Sequence, residues 1–137
     1  MPKPVLLVDD DSNSAFTVES ILLFLGLEVD LAQNGRIAVA KTAETDYAVV
    51  LMDIEMPEMD GMDATFAIRA REAETGAKPT VIVAMTGHTS NGIKILCRRA
   101  GMNSVLVKPF GIDALRDKLS EVCGDALNLG NTDLGDS

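Results

Sequence analysis

The sequence has one histidine, two cysteines and no long run of apolar residues. A single histidine excludes a metal site built from several imidazoles and a mechanism that needs more than one. A bilayer-spanning helix needs about 20 consecutive apolar residues, and the amino terminus does not have the pattern of a signal peptide. Cys97 and Cys123 each stand alone at an apolar helical position. We interpret them as reduced thiols in the core of a cytoplasmic protein.

Basic residues are also scarce. Twelve lysines and arginines stand against 21 aspartates and glutamates, which gives a formal net charge of −9. This balance argues against binding to nucleic acid or to anionic membrane surfaces. The basic pairs Arg69 with Arg71 and Arg98 with Arg99 form no patch, and we interpret them as exposed helix faces. With 137 residues, 47% of them hydrophobic, the chain fits one domain with one core.

Strand-like and helix-like segments alternate five times along the chain. The predicted strands are Val5–Asp9, Glu28–Ala32, Tyr47–Asp53, Thr80–Met85 and Ser104–Val107. The predicted helices cover residues 12–25, 34–44, 62–74, 90–100 and 111–123. The first helix would take Ser12 or Asn13 as its N-cap. The fourth would bury Ile93, Leu96, Cys97 and Ala100 together. Such alternation predicts βαβ units around a parallel sheet.

The strand patterns indicate the order of the sheet. Strands one, three and four are nearly all apolar, as in strands that helices cover on both faces. The second strand alternates polar and apolar residues, which is typical of an edge. Right-handed crossovers then favour a doubly wound, flavodoxin-like α/β fold with five parallel strands in the order 2-1-3-4-5 and five helices. Ligands bind such sheets at the carboxyl ends of the strands, here between strands one and three.

Polar side chains stand at those carboxyl ends. The first strand ends in Asp9 and Asp10, the third in Asp53 and the fourth in Thr86, and Lys108 follows the fifth. Clustered carboxylates repel one another, which raises their pKa values. Mg²⁺ with oxygen ligands relieves that repulsion. We therefore expect one acidic pocket with a magnesium site.

Each of these residues also has a simpler explanation. Asp9, Asp10 and Asp11 could cap the helix that follows them. Asp53 could be a turn residue before Pro57, although its apolar run would then remain unexplained. Taken together, the carboxylates, lysine and threonine match phosphoryl transfer, in which catalysis is mainly positioning and charge neutralisation. A carboxylate can serve as the nucleophile and form an acyl phosphate.

Four motifs in this order resemble the receiver domain of the two-component response-regulator family, including receivers of hybrid histidine kinases and single-domain response regulators. They are LVDDD at residues 7–11, LMDIEMPEMDG at 51–61, AMTG at 84–87 and KPF at 108–110. The resemblance covers residues 5–123. We therefore interpret 1–123 as a receiver domain and 124–137 as a flexible acidic tail.

The resemblance implies a metal site and a phosphoacceptor. Asp53 would accept a phosphoryl group from a phosphohistidine and would also bind Mg²⁺. Asp10 would bind the ion directly, Asp9 mainly through water, and Glu55 through its backbone carbonyl. The donor would be a histidine kinase or a histidine phosphotransfer domain.

The resemblance also implies contacts to the bound phosphoryl group. Lys108 would contact its oxygens, and the Lys108–Pro109 peptide would be cis. Thr86 would donate a hydrogen bond to it. The family usually has an aromatic residue three positions before the lysine, where this chain has Val105, so we expect strand five to change little on phosphorylation.

The first helix has more apolar residues than one buried stripe needs. Phe16, Leu23 and Phe24 are in excess. They could form a docking face, since the resemblance implies that the phosphodonor binds around this helix. They could also complete the core beneath the edge strand, as we expect for Phe16 in particular.

Two other functions fit parts of the pattern. A Mg²⁺-dependent phosphohydrolase with an aspartyl nucleophile can use an acid two residues later, here Glu55, but no substrate-cap segment is apparent. A phosphate-independent interaction module would be favoured by loss of Asp10, Asp53 or Lys108, and all three are present. The leading hypothesis is a phosphoaccepting receiver whose only reactions are its own phosphorylation and dephosphorylation.

Overall fold

The computed structural model describes residues 3–56, 60–87 and 90–124. The strands are β1 (Val5–Val8), β2 (Val29–Ala32), β3 (Val49–Asp53), β4 (Ile82–Thr86) and β5 (Ser104–Val107). The helices are α1 (Ser12–Phe24), α2 (Gly35–Glu44), α3 (Gly61–Thr75), α4 (Asn91–Ala100) and α5 (Ile112–Cys123). The predicted tail beyond Gly124 lies outside the described residues. Within the described ranges, no helix is both long enough and apolar enough to span a membrane.

The five strands form one parallel sheet in the order β2-β1-β3-β4-β5, which confirms the predicted topology. Strands β1, β3 and β4 are buried along their whole length, whereas β2 at the edge is mostly half-buried. The predicted strands Glu28–Ala32, Tyr47–Asp53 and Thr80–Met85 begin one or two residues too early. The backbone ladder of β3, for example, starts at Val49.

Each face of the sheet carries its own apolar cluster, because successive residues of a strand point to opposite faces. In β3, Val49 and Leu51 pack with α1 and α5. Val50 and Met52 pack with α2, α3 and α4. The sheet is therefore covered by helices on both sides, which leaves the ends of the strands open to ligands.

Two details of the helices differ from the predictions. The N-cap of α1 is Asp11, whose side chain accepts a hydrogen bond from the backbone N–H of Asn13, so the prediction of Ser12 or Asn13 is wrong. In α4, Cys97 is buried but Leu96 is 50% exposed. This helix has apolar residues on more than one face, and only the face of Cys97 meets the sheet.

Arg69 ties α3 to the turn between α4 and β5. Its guanidinium donates to the carbonyl of Gly101 at 2.8 and 2.9 Å and to Asn103 Oδ1 at 3.0 Å. It also pairs with Glu72 at 2.8 Å. Arg71 donates to a carbonyl of α2 at 3.0 Å. The prediction that Arg69 and Arg71 are exposed side chains is therefore wrong, since both are half-buried and hydrogen-bonded.

Candidate functional site

Three carboxylates meet at the carboxyl ends of β1 and β3. Val8 pairs with Met52 in the sheet, so Asp9 and Asp53, one position further along, end side by side. Together with Asp10 they offer ligand oxygens that all lie within 4.8 Å of one another. Asp9 and Asp53 are buried, and Asp10 is exposed. The predicted acidic pocket is present.

Asp53 is held in place by two hydrogen bonds, one from a backbone N–H and one from a side chain. Its Oδ1 accepts from the backbone N–H of Glu55 at 3.0 Å, and its Oδ2 accepts from Lys108 Nζ at 3.4 Å. Burial raises the pKa of Asp53, and the nearby Asp9 carboxylate acts in the same direction. The Glu55 N–H and the Lys108 charge oppose this rise in pKa. The carboxylate is thus fixed in orientation and has little contact with solvent.

Asp9 has one satisfied and one unsatisfied oxygen. Its Oδ1 accepts from the backbone N–H of Asp11 at 3.0 Å. Its Oδ2 is buried and has no hydrogen-bond partner among the described residues, with Lys108 Nζ 3.6 Å away. A buried carboxylate oxygen without a partner is costly. A cation or a bound water at this atom would remove that cost.

The donor set suits a hard divalent cation. Two ligands on opposite sides of Mg²⁺ lie about 4.2 Å apart, since each Mg–O bond is about 2.1 Å. The carboxylate oxygens of this cluster lie within 4.8 Å of one another, which is compatible with a shared ion of this size.

Lys108 and Thr86 complete the pocket from the other side. The backbone N–H of Lys108 donates to the carbonyl of Thr86 at 2.7 Å, which holds the end of β5 against the end of β4. Thr86 is buried, and the Lys108–Pro109 peptide is cis as expected. The site residues predicted from the sequence thus lie together, with the Glu55 side chain exposed at the rim. Pro57 and the single histidine, His88, lie outside the described residues.

The close approach of α3 to the strand that carries Asp53 was not predicted from the sequence. A Cβ at Gly61 would lie 2.5 Å from the carbonyl oxygen of Asp53 and 2.9 Å from Ile54 Cα. The backbone N–H of Gly61 donates to the carbonyl of Ile54 at 3.4 Å. Only glycine allows this contact, so Gly61 fixes the backbone that carries Asp53. The glycine that directly follows Asp60, the N-cap of α3, was the signal available in the sequence.

Exposed apolar side chains lie along α1 next to the pocket. Phe16 and Phe24 are each 69% exposed and Leu23 is 56% exposed, so the expectation that Phe16 completes the core is wrong. Phe16 lines a groove of about 240 Å³ that reaches Asp9 and Asp10. This face is continuous with the acidic pocket.

The fold and the pocket together define a phosphoaccepting signalling module. The sequence model of the response regulator receiver domain matches residues 5–120. The chain therefore belongs to the receiver domain family of two-component and phosphorelay systems. Sensor protein GacS of Pseudomonas syringae pv. syringae is 37% identical over 123 residues, which are 90% of this chain and 14% of that protein. The chain spans 10–19% of the length of the first curated relatives it matches.

Solved structures are similar throughout the fold. The co-crystal structure of the Saccharomyces cerevisiae phosphotransfer protein Ypd1 and the receiver domain of Ssk1 matches with a TM-score of 0.84 and 31% identity, covering 89% of this chain and 90% of that one. The receiver domain of sensor histidine kinase PA1611 from Pseudomonas aeruginosa PAO1 matches with a TM-score of 0.81 and 34% identity, covering 91% and 100%. That structure has a magnesium ion coordinated in its active-site cleft.

Proposed function

We propose that this receiver domain accepts a phosphoryl group on Asp53 with the help of Mg²⁺. The observation that carries the proposal is the position of Lys108 Nζ, 3.4 Å from Oδ2 of Asp53 and 3.6 Å from Oδ2 of Asp9. A cation in that place can neutralise an incoming phosphoryl group beside the acceptor oxygen.

The choice of acceptor rests on the surroundings of each carboxylate. The side chain of Asp9 has no exposed surface, so it cannot meet a donor. Asp10 is exposed and is free to serve as a metal ligand. Asp53 is oriented by the Glu55 N–H and faces Lys108.

The proposed ion site uses the same residues. Asp9, Asp10, Asp53 and the backbone carbonyl of Glu55 would hold Mg²⁺. The buried Asp9 oxygen that has no hydrogen-bond partner among the described residues supports this site. When bound, Mg²⁺ supplies positive charge against the phosphoryl oxygens. Lys108 then contacts those oxygens from the β5 side, and Thr86 donates a hydrogen bond to them.

The donor is a phosphohistidine on a histidine kinase or histidine phosphotransfer domain. In the transfer the P–N bond of the donor breaks while a P–O bond forms to a carboxylate oxygen of Asp53, and the imidazole left behind takes up a proton. The exposed apolar side chains of α1 offer a docking face beside the pocket. The Ypd1–Ssk1 structure, in which a phosphotransfer protein is bound to a receiver, supports this class of partner.

The test uses acetyl phosphate as a small phosphodonor. In the presence of Mg²⁺ the intact mass should rise by one phosphoryl group, and EDTA should prevent the rise. Asp53→Asn should abolish it, whereas Asp113→Asn, a matched change at an exposed position on α5, should leave it intact. Full labelling of Asp53→Asn would refute the proposal. Sustained hydrolysis of a phosphomonoester would instead indicate a phosphohydrolase with Glu55 as its acid.

A further inference from the structure

A basic groove lies between α4, β5 and α5, away from the acidic pocket. It has a volume of about 800 Å³, and its lining among the described residues includes four cations, Lys94, Arg98, Arg99 and Lys118, and no carboxylate. These are a third of the 12 basic residues of a chain whose net charge is −9. The groove is therefore opposite in charge to the molecule as a whole.

Most of these cations have no ion-pair partner in the part of the chain that the structure describes. Within the described ranges, Lys94, Arg98 and Arg99 form no ion pair, while Lys118 donates to Ser104 Oγ at 2.8 Å and pairs with Glu121 at 3.2 Å. Arg98 and Arg99 lie in the last turn of α4, where cations are favoured by the helix dipole. Lys94 and Lys118 do not lie in the last turn of a helix. The helix dipole therefore does not explain why the four cations lie together.

The groove also offers apolar surface. On α4, the side chain of Ile95 lines the groove and is 53% exposed. On β5, the half-buried Val105 also lines the groove. An occupant that matches both features carries carboxylates and aliphatic side chains together.

We propose that the groove binds residues 125–137 of this same chain. That segment, DALNLGNTDLGDS, has three aspartates, three leucines and no basic residue. It follows Gly124, whose φ of 57° turns the backbone where α5 ends, on the helix that contributes Lys118 to the groove. Thirteen extended residues reach about 40 Å, whereas the ten residues of α4 extend about 15 Å. The segment is therefore long enough to follow the groove from end to end.

When bound, residues 125–137 would cover the α4–β5–α5 face. Other proteins could then reach that face only after the segment is displaced. The binding is electrostatic in part, so it should weaken as salt shortens the range of charge interactions. The proposal is independent of phosphorylation at Asp53.

The test places a nitroxide on the full chain at residue 137, as Ser137→Cys in a Cys123→Ser background. Cys97 is fully buried and is not expected to react. Amide signals of residues 94–105 should lose most of their intensity, and those of α2 should keep it. The loss should disappear in Arg98→Glu/Arg99→Glu and in high salt, and it should persist in Arg36→Glu, a matched change at an exposed position on α2.

Three outcomes would overturn the proposal. One is full intensity across residues 94–105 in the labelled chain. A second is an equal loss in Arg98→Glu/Arg99→Glu, because the cations would then have no part in binding. The third is an equal loss in the ¹⁵N chains when nitroxide-labelled chains without ¹⁵N are mixed with unlabelled ¹⁵N chains, which would identify the tail of a second copy as the occupant.

Discussion

Replacing Gly61 with alanine should damage both the stability and the chemistry of the domain. The added Cβ would meet the Asp53 carbonyl oxygen at 2.5 Å, the Met52 side chain at 2.8 Å and Ile54 Cα at 2.9 Å. The shortest of these distances is roughly 1 Å below the ~3.5 Å of an unstrained contact. Two of the three atoms belong to the backbone of β3 and its exit, so rotation of a side chain cannot relieve the overlap.

The size of the effect follows from this geometry. Overpacking that forces backbone shifts costs about 1–3 kcal/mol, and we expect Gly61→Ala to lower the free energy of unfolding by about 2–3 kcal/mol. A misplacement of about 1 Å at a reacting group can cost roughly 100-fold in rate. The displaced carbonyl belongs to Asp53 itself, so phosphorylation by acetyl phosphate should slow by roughly 10- to 100-fold.

Urea unfolding and the rate of mass increase measure the two effects. Gly92→Ala is the control, because its Cβ would meet only Ser90 Oγ, at 3.9 Å, in the first turn of α4. That change should stabilise the fold by about 0.4–1 kcal/mol through the unfolded chain. Equal stabilities for Gly61→Ala and the unchanged protein would contradict this prediction, since they would show that the added Cβ does not overlap with β3.

Three further predictions concern titration, metal binding and switching. Burial and the Asp30 carboxylate raise the pKa of Tyr47, the only tyrosine, to about 12, and no tryptophan is present, so absorbance reports this group alone. Because the unfolded pKa is about 10, the associated stability is present below pH 10 and lost as pH rises towards 12; a midpoint near 10 would contradict the buried environment. Asp10→Ala should weaken Mg²⁺ binding more than Asp9→Ala, as measured by NMR titration, and equal affinities would contradict the proposed direct and water-mediated roles. Beryllofluoride with Mg²⁺ should slow amide exchange in the loops after β3 and β4 and change β5 little, because Val105 has no ring to reorient; large changes in β5 would show that Val105 does not limit the switch.

The fold could be predicted because its signals are local. Uniformly apolar strands and one alternating strand specify the interior and the edge of the sheet, and glycines such as Gly76 and Gly101 end helices in left-handed conformations. The first residues of several strands were predicted less accurately than the order of the strands. Tyr47 was predicted to lie in β3, but the strand begins at Val49, and the Tyr47 hydroxyl donates to Asp30 Oδ2 at 2.5 Å.

Most of the candidate site could also be predicted, because parallel strands bring their carboxyl ends to one edge. Asp9, Asp53 and Lys108 belong to three different strand ends and still meet. The features that were missed depend on contacts between distant segments. Arg69 binds the carbonyl of Gly101, 32 residues away. The basic groove was also missed, since it combines α4 with Lys118 of α5.

Locating the phosphorylated residue is the direct test of Asp53 as the acceptor. After reaction with acetyl phosphate and Mg²⁺, borohydride reduces an acyl phosphate to the alcohol, which converts a phosphorylated aspartate into homoserine. Peptide mass spectrometry then locates that change in the chain. We expect homoserine at position 53 alone. Homoserine at position 9 or 10, or a phosphoryl group that resists reduction because it sits on a hydroxyl, would contradict it.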